Sequence, residues 1–286
     1  MNILVTGSNG QLGSEISDLS GKYSDYKFTF TDVEELNITD EKAVANYFAS
    51  NSFDAVINCA AYTNVDKCES EQKAANSLNT MACKILSQNC SKHKAALIQI
   101  STDYVFDGNN HIPYKETDFT NPNSVYGKTK LNGEQMIEEF ASTAIIVRTS
   151  WLYSSFGHNF IKTIMKYGKE RDELKVVFDQ IGTPTYARDL AEVILLGIKN
   201  INFMEGVHTF LYSNEGVCSW YDFAKEIVNI KGIDCKITPI ETKDYPLPAP
   251  RPAYSVMNKA KIKAELDIEI PYWKDSLKKC LKKIED

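Results

Sequence analysis

Three glycines, Gly7, Gly10 and Gly13, follow directly on a short apolar run at 3–6, and this spacing limits the fold more than any other feature of the chain. A strand that turns over Gly-x-x-Gly-x-x-Gly into a helix opens a dinucleotide-binding βαβ unit. Gly7 makes the tight turn, Gly10 lets backbone approach a pyrophosphate, and Gly13 lets helix pack close on strand. The first N–H groups of the helix and its partial positive charge then face the anion. A glycine triplet by itself also fits a plain turn leading into a helix. Its place behind the first strand favours the dinucleotide reading.

The rest of the first half agrees. Segments 3–6, 27–31, 54–59, 96–101 and 144–148 read as buried strands, the last taken as the sixth. Between them lie helical stripes, including Leu12, Ile16 and Leu19, then one long helix over 74–93, and another over 126–140. Strands alternating with helices give an α/β fold with a doubly wound parallel Rossmann sheet. The second half is less regular. A helix is expected over 185–198, another capped by Ser219, and a last one from Trp273 to Ile284. Prolines 246, 248, 250 and 252 mark an extended loop. We therefore expect a cofactor domain over 1–150 and a smaller C-terminal substrate domain over 151–286. Segments near 175–200 are expected to return to the first domain.

Composition excludes several classes. With 32 basic and 38 acidic residues the net charge is -6, which argues against general nucleic-acid binding. No basic stretch runs into a long apolar one, so no signal peptide is expected, and no run is long enough for a membrane span. The seven cysteines are odd in number and lack Cys-x-x-Cys spacing. They read as reduced thiols of a cytoplasmic protein, and no metal site is expected.

Asp32 stands 19 positions after Gly13, where a ribose-binding acid belongs. Its carboxylate would accept from the 2′-OH of NADH and repel the 2′-phosphate of NADPH. A surface acid at a strand end is the plainer alternative. The small residues of 58–63 end another strand and would pass near the middle of the cofactor, or simply pack tightly.

Tyr-x-x-x-Lys occurs at Tyr23/Lys27, Tyr126/Lys130 and Tyr221/Lys225, and only the middle copy opens a helix shortly after a strand ending in hydroxyl residues. Tyr126 and Lys130 share one helical face. A neighbouring ammonium favours phenolate, so Lys130 is expected to lower the Tyr126 pKa while holding the cofactor ribose. Tyr126 would donate a proton to the alkoxide as hydride arrives at a carbonyl. Thr102, at the carboxyl end of its strand, would orient that carbonyl. Arg251 has a planar guanidinium suited to a diphosphate, though a solvated loop arginine is the plain alternative.

These segments resemble the extended short-chain dehydrogenase/reductases, and among them the dTDP-4-dehydrorhamnose reductases. The resemblance rests on 2–7, on Gly10-Gln11-Leu12-Gly13, on Ser101-Thr102-Asp103-Tyr104-Val105-Phe106, on 125–130, on Arg148-Thr149-Ser150-Trp151, on 179–185 and on Arg251-Pro252. It spans nearly the whole chain. It implies reduction of a dTDP-sugar 4-ketone by NADH or NADPH, feeding dTDP-rhamnose into cell-surface polysaccharide. It also implies cofactor contacts from Gly10, Gln11, Leu12, Asp32, Asn37, Ile38, Ala61, Tyr62 and Thr63. Substrate contacts are implied at Thr102, Asp103 and Trp151, with Tyr126 as the acid. Related sugar 4,6-dehydratases carry glutamate where Tyr104 stands here, and a phenol cannot replace that carboxylate in water elimination.

Some members of this family dimerise through magnesium held by acids on two helices. Glu15 fits the first position, but Arg188 stands where the second acid is expected, with Asp189 beside it. The chain is expected to act as a monomer or homodimer. A reductase or epimerase on another nucleotide-sugar, or a non-catalytic subunit of S-adenosylmethionine synthesis, remain alternatives. Intact Tyr126, Lys130 and Thr102 weigh against the last.

Overall fold

The computed structural model describes residues 1–199 and 205–284. The first half runs β1 (Asn2–Thr6), α1 (Gln11–Ser20), β2 (Lys27–Thr31), α2 (Glu41–Ser50), β3 (Ala55–Asn58), α3 (Val65–Ser70), α4 (Gln72–Asn76), α5 (Ala82–His93), β4 (Ala96–Thr102), α6 (Val125–Phe140) and β5 (Thr143–Thr149). The second half runs β6 (Leu152–Tyr153), α7 (Phe160–Glu170), β7 (Glu173–Val177), β8 (Ile181–Gly182), β9 (Thr185–Tyr186), α8 (Ala187–Gly197), β10 (Gly206–Tyr212), β11 (Cys218–Ser219), α9 (Trp220–Lys231), β12 (Lys236–Ile240), α10 (Ala260–Leu266) and α11 (Trp273–Lys283).

Six of these strands form one parallel sheet in the order β10-β5-β4-β3-β1-β2. The segment at 144–148 is thus the fifth strand along the chain. The sixth is β10, from the second half, with the sequence GVHTFLY. Its early polar residues hide it from a search for continuous apolar runs.

Side chains alternate across the sheet, so each face packs its own helices. Ile3, Val5, Ile57 and Ile98 join Leu12, Ile16, Leu190 and Ile194 from α1 and α8. Leu4, Val56, Leu97 and Ile146 join Val44, Phe48, Leu86 and Ile137 from α2, α5 and α6. Full burial of each such side chain contributes about 1.5–3 kcal/mol. α8, inside the expected 175–200, packs on the sheet, and β10, beyond that range, joins its edge. β7 pairs with β12, away from the large sheet.

A second core gathers Ile161, Ile164, Val176, Phe223, Ile227, Trp273 and Leu277 from α7, β7, α9 and α11. α9 begins with a capping box in which Ser219 and Asp222 bond each other's backbone N–H.

Two expected helices are interrupted. Thr185–Tyr186 is a strand paired with β6, and helix begins only at Ala187. The long helix over 74–93 is broken by a π-helical turn at Ser77–Met81. That wide turn lets buried Asn79 and Thr80 bond outward, to Thr129 and to the Tyr62 backbone.

Sheet order fixes where a ligand enters. The chain leaves β1 outward to β2 and returns past it to β3, so the switch point lies between β1 and β3. Their carboxyl ends are joined by a bond from Thr6 Oγ1 to Asn58 Oδ1 at 2.7 Å, and Asn58 Nδ2 continues to Gln99 Oε1 at 2.7 Å.

Candidate active site

One cleft of about 740 Å³ opens at that switch point and continues toward the second core. Its phosphate end is the turn after β1. Gly7 has φ +64°, and a Cβ there would stand 2.6 Å from the Ala60 nitrogen. Only glycine fits. Gly13 lies outside the cleft, where a Cβ would be 2.6 Å from the Gly7 carbonyl oxygen, so its part is close helix packing. No side chain caps α1 and its first turn holds no acid, which leaves N–H groups for an anion. Gly10, Gln11 and Leu12 line this end.

Asp32, Asn37 and Ile38 line the adjoining wall. Asp32 is anchored from the turn itself: Asn9 N–H donates to Oδ2 at 3.0 Å and Val33 N–H donates to Oδ1 at 2.8 Å. Ala61 and Thr63 continue the lining. Tyr62 does not. Its phenol turns away to Glu71, and its backbone N–H donates to Asn79 Oδ1 at 2.8 Å. The uncapped helix start, the glycine turn and the anchored carboxylate together suit a dinucleotide.

The catalytic candidates meet farther along the same cleft. Ser124 caps α6 through Gly127 N–H at 3.1 Å, which puts Tyr126 in the first turn. Tyr126 and Thr102 line the same stretch of the cleft, and Thr102 Oγ1 donates to Asp103 Oδ1 at 3.0 Å. Burial raises the Tyr126 pKa above the ordinary phenol range, against the nearby Thr102 hydroxyl, which lowers it. This corrects the expectation of a phenol acidified by Lys130. The lysine is itself buried, its Nζ donates to the Ile100 carbonyl at 2.6 Å, and desolvation lowers its pKa. Desolvation likewise raises Asp103 to about 6, and its Oδ2 is buried without a partner.

Trp151 lines the far wall with a left-handed backbone, φ +48°. Arg251 is not brought to the cleft. Its Nη2 and Nη1 hold Asp66 Oδ2 and Oδ1 at 2.7 and 2.9 Å, tying the proline loop to α3. Sequence reasoning missed Trp220, Phe160 and Asn159, which also line the cleft. Asn159 Nδ2 donates to Gln11 Oε1 at 3.0 Å, linking the second half to the phosphate turn. Ser219 is recognisable as a cap, but nothing in the sequence marks the next residue, Trp220, as lining the cleft.

Residues 1–285 match the family model described as the RmlD substrate binding domain. The chain belongs to this family. A curated RmlD-type relative, the dTDP-4-dehydrorhamnose reductase of Aggregatibacter actinomycetemcomitans, is 39% identical over 96% of this chain and 97% of its own. A crystal structure of the Clostridium acetobutylicum dTDP-4-dehydrorhamnose reductase is 45% identical with TM-score 0.93, covering 99% of each chain. That of the Bacillus anthracis enzyme in complex with NADP is 34% identical with TM-score 0.93, covering 98% of each.

In this RmlD-family chain the acids of the first helix are satisfied internally. Glu15 is fully buried, accepts from Ser154 Oγ at 2.6 Å and pairs with Arg188 at 3.2 Å, and Arg188 also holds Asp18. Among the described residues, no group of three or more His, Cys, Asp or Glu is arranged to hold a metal ion. Nor is any described helix long and apolar enough to cross a membrane.

Proposed function

We propose that this chain reduces the 4-keto group of dTDP-6-deoxy-L-lyxo-4-hexulose to give dTDP-L-rhamnose, with Tyr126 as proton donor. The observation that carries this reading is the convergence of Tyr126, Thr102 and Lys130 on the cleft that also holds the glycine turn. The chemistry a bound NADH or NADPH supplies is hydride donation to the carbonyl carbon.

The chain's own groups do the rest. Thr102 and Tyr126 line the same stretch of the cleft, so a carbonyl oxygen seated between them meets two hydroxyls. The raised phenol pKa keeps Tyr126 protonated until negative charge develops on that oxygen, when it transfers its proton. Lys130 sits one helical turn behind and holds the cofactor ribose. Asp103, with Oδ2 unpartnered, takes a sugar hydroxyl, and Trp151 covers the sugar. The absence of a carboxylate at Tyr104 leaves reduction without elimination.

Following NADH and NADPH absorbance with freshly prepared dTDP-6-deoxy-L-lyxo-4-hexulose tests this. Oxidation that yields dTDP-L-rhamnose supports it. Cofactor binding without oxidation of this sugar overturns it and directs the search to other nucleotide-sugars.

A further inference from the structure

The mechanism above leaves unused a buried ionic cluster directly behind the catalytic groups. Glu134, on α6, is 2% exposed and Arg148, on β5, is 6% exposed. Arg148 Nη2 donates to Glu134 Oε2 at 2.7 Å, and its Nε donates to both carboxylate oxygens at 3.1 and 3.2 Å. The hydroxyl of Ser101 donates to the same Glu134 carboxylate.

Register makes this more than a core ion pair. Ser101 and Arg148 face each other across β4 and β5, and the next rung is Thr102 with Thr149. Both rungs end at the cleft, where Ser101, Thr102 and Thr149 line its wall. On the helix side, Glu134 lies at i+4 from Lys130, which itself lies at i+4 from Tyr126, so the three share a face. Lys130 bonds the Ile100 carbonyl and Glu134 bonds Ser101, so α6 is pinned to two consecutive residues of β4 immediately before Thr102.

We propose that Glu134, with Arg148 and Ser101, is a positioning cluster that sets the height of the Tyr126/Lys130 face against Thr102. A buried charge pair is a poor source of stability, because desolvation offsets its attraction, and a matched apolar replacement is often neutral. What it supplies is geometry. Three elements meet at one bidentate, charge-assisted junction with fixed angles. Each element carries one part of the site: the acid and lysine on α6, the hydroxyl on β4, and the strand leading to Trp151 on β5.

This inference rests on the reductase reading, and its test separates the two. Glu134→Gln alone would strand the Arg148 charge and risks unfolding. The double variant Glu134→Leu/Arg148→Met removes both charges and keeps apolar volume. We expect it to fold, with kcat about 100-fold lower, as for a reacting group misplaced by an ångström, and the sugar KM within threefold of wild type. Ser101→Ala, which removes one hydroxyl from the junction, is the second variant should the first not fold, with an expected kcat loss of about tenfold from the smaller misplacement. A folded variant turning over within threefold of wild type overturns the proposal. A crystal structure of the folded double variant gives a readout that needs no substrate. Displacement of Tyr126 and Lys130 relative to Thr102 supports the cluster, and an unmoved face overturns it, even if the wild-type chain fails to reduce the sugar.

Discussion

The indole of Trp151 lies parallel to that of Trp220, with ring centroids 3.7 Å apart and 11° between planes. Trp151 holds a left-handed backbone at a cost of about 1–3 kcal/mol, so its pose is imposed by its surroundings. One face of the ring is already covered. Trp220→Ala removes that cover, and an aromatic pair is worth about 0.5–1.5 kcal/mol. The sugar KM should rise about two- to tenfold while kcat changes little. An unchanged KM would mean that the stack does not prepare Trp151 for ligand.

Tyr126→Phe keeps the ring against Tyr104, whose centroid is 5.4 Å away, and removes only the acidic proton. Turnover should fall by about 10²–10⁴-fold. Affinity for NADH, read by fluorescence titration, should stay near wild type. Full turnover in this variant would exclude Tyr126 as the proton donor.

Asp103 titrates near 6 because burial disfavours its charge, whereas an unfolded aspartate titrates near 3.9. The folded state therefore binds this proton more tightly than the unfolded state. Its contribution is present below pH about 4, is lost as pH rises through about 6, and is flat beyond. A shift of this size corresponds to about 3 kcal/mol. Asp103→Asn should accordingly gain in thermal stability relative to wild type between pH 4.5 and 7.5. A stability difference that does not change with pH would contradict the assigned burial effect.

The Arg251–Asp66 pair holds Asp66 below the usual carboxylate range, chiefly through the Arg251 side-chain bond. If Arg251 acts by fastening the 246–252 loop, Asp66→Ala and Arg251→Ala should weaken sugar binding equally, and the double variant should be no worse than either. A double-mutant cycle reads this coupling. A much larger loss in Arg251→Ala alone would return the guanidinium to direct diphosphate contact.

Asp32 is oriented by N–H groups of the phosphate turn and of Val33, with its carboxylate on the cleft wall. Asp32→Ala should raise the ratio of NADPH to NADH efficiency (kcat/KM) at least tenfold, because the charge facing a 2′-phosphate is gone. An unchanged ratio would show that cofactor choice is made elsewhere.

Much of this site was legible in the sequence because its parts are local. The glycine turn, Asp32 after β2, the Ser-Thr-Asp strand end and the Tyr/Lys spacing each fall within one element or its edge. What could not be read depends on pairings distant along the chain. Arg251 had the right chemistry for a diphosphate, yet its partner Asp66 stands 185 residues away. Tyr62 adjoins cleft residues but is turned by Glu71 and Asn79. Trp220 and Asn159 reach the cleft only because the second core sets α9 and α7 beside it. The Tyr126 pKa was misjudged for a similar reason: spacing places Lys130 nearby, but only the folded interior reveals how strongly burial opposes phenolate.

The provenance of β10 has a consequence for how the molecule is made. The sheet that carries the cleft gains its last strand from 206–212, after α7 and β7 of the second core but before α9 and α11. Until that stretch has emerged from the ribosome, β5 presents an open parallel edge along its whole length, a template for pairing with another chain. A nascent chain of some 150 residues, though it already contains the glycine turn, Thr102, Tyr126 and Lys130, is thus an unfinished sheet. The first half is the site's inventory, and the second half is what lets it close.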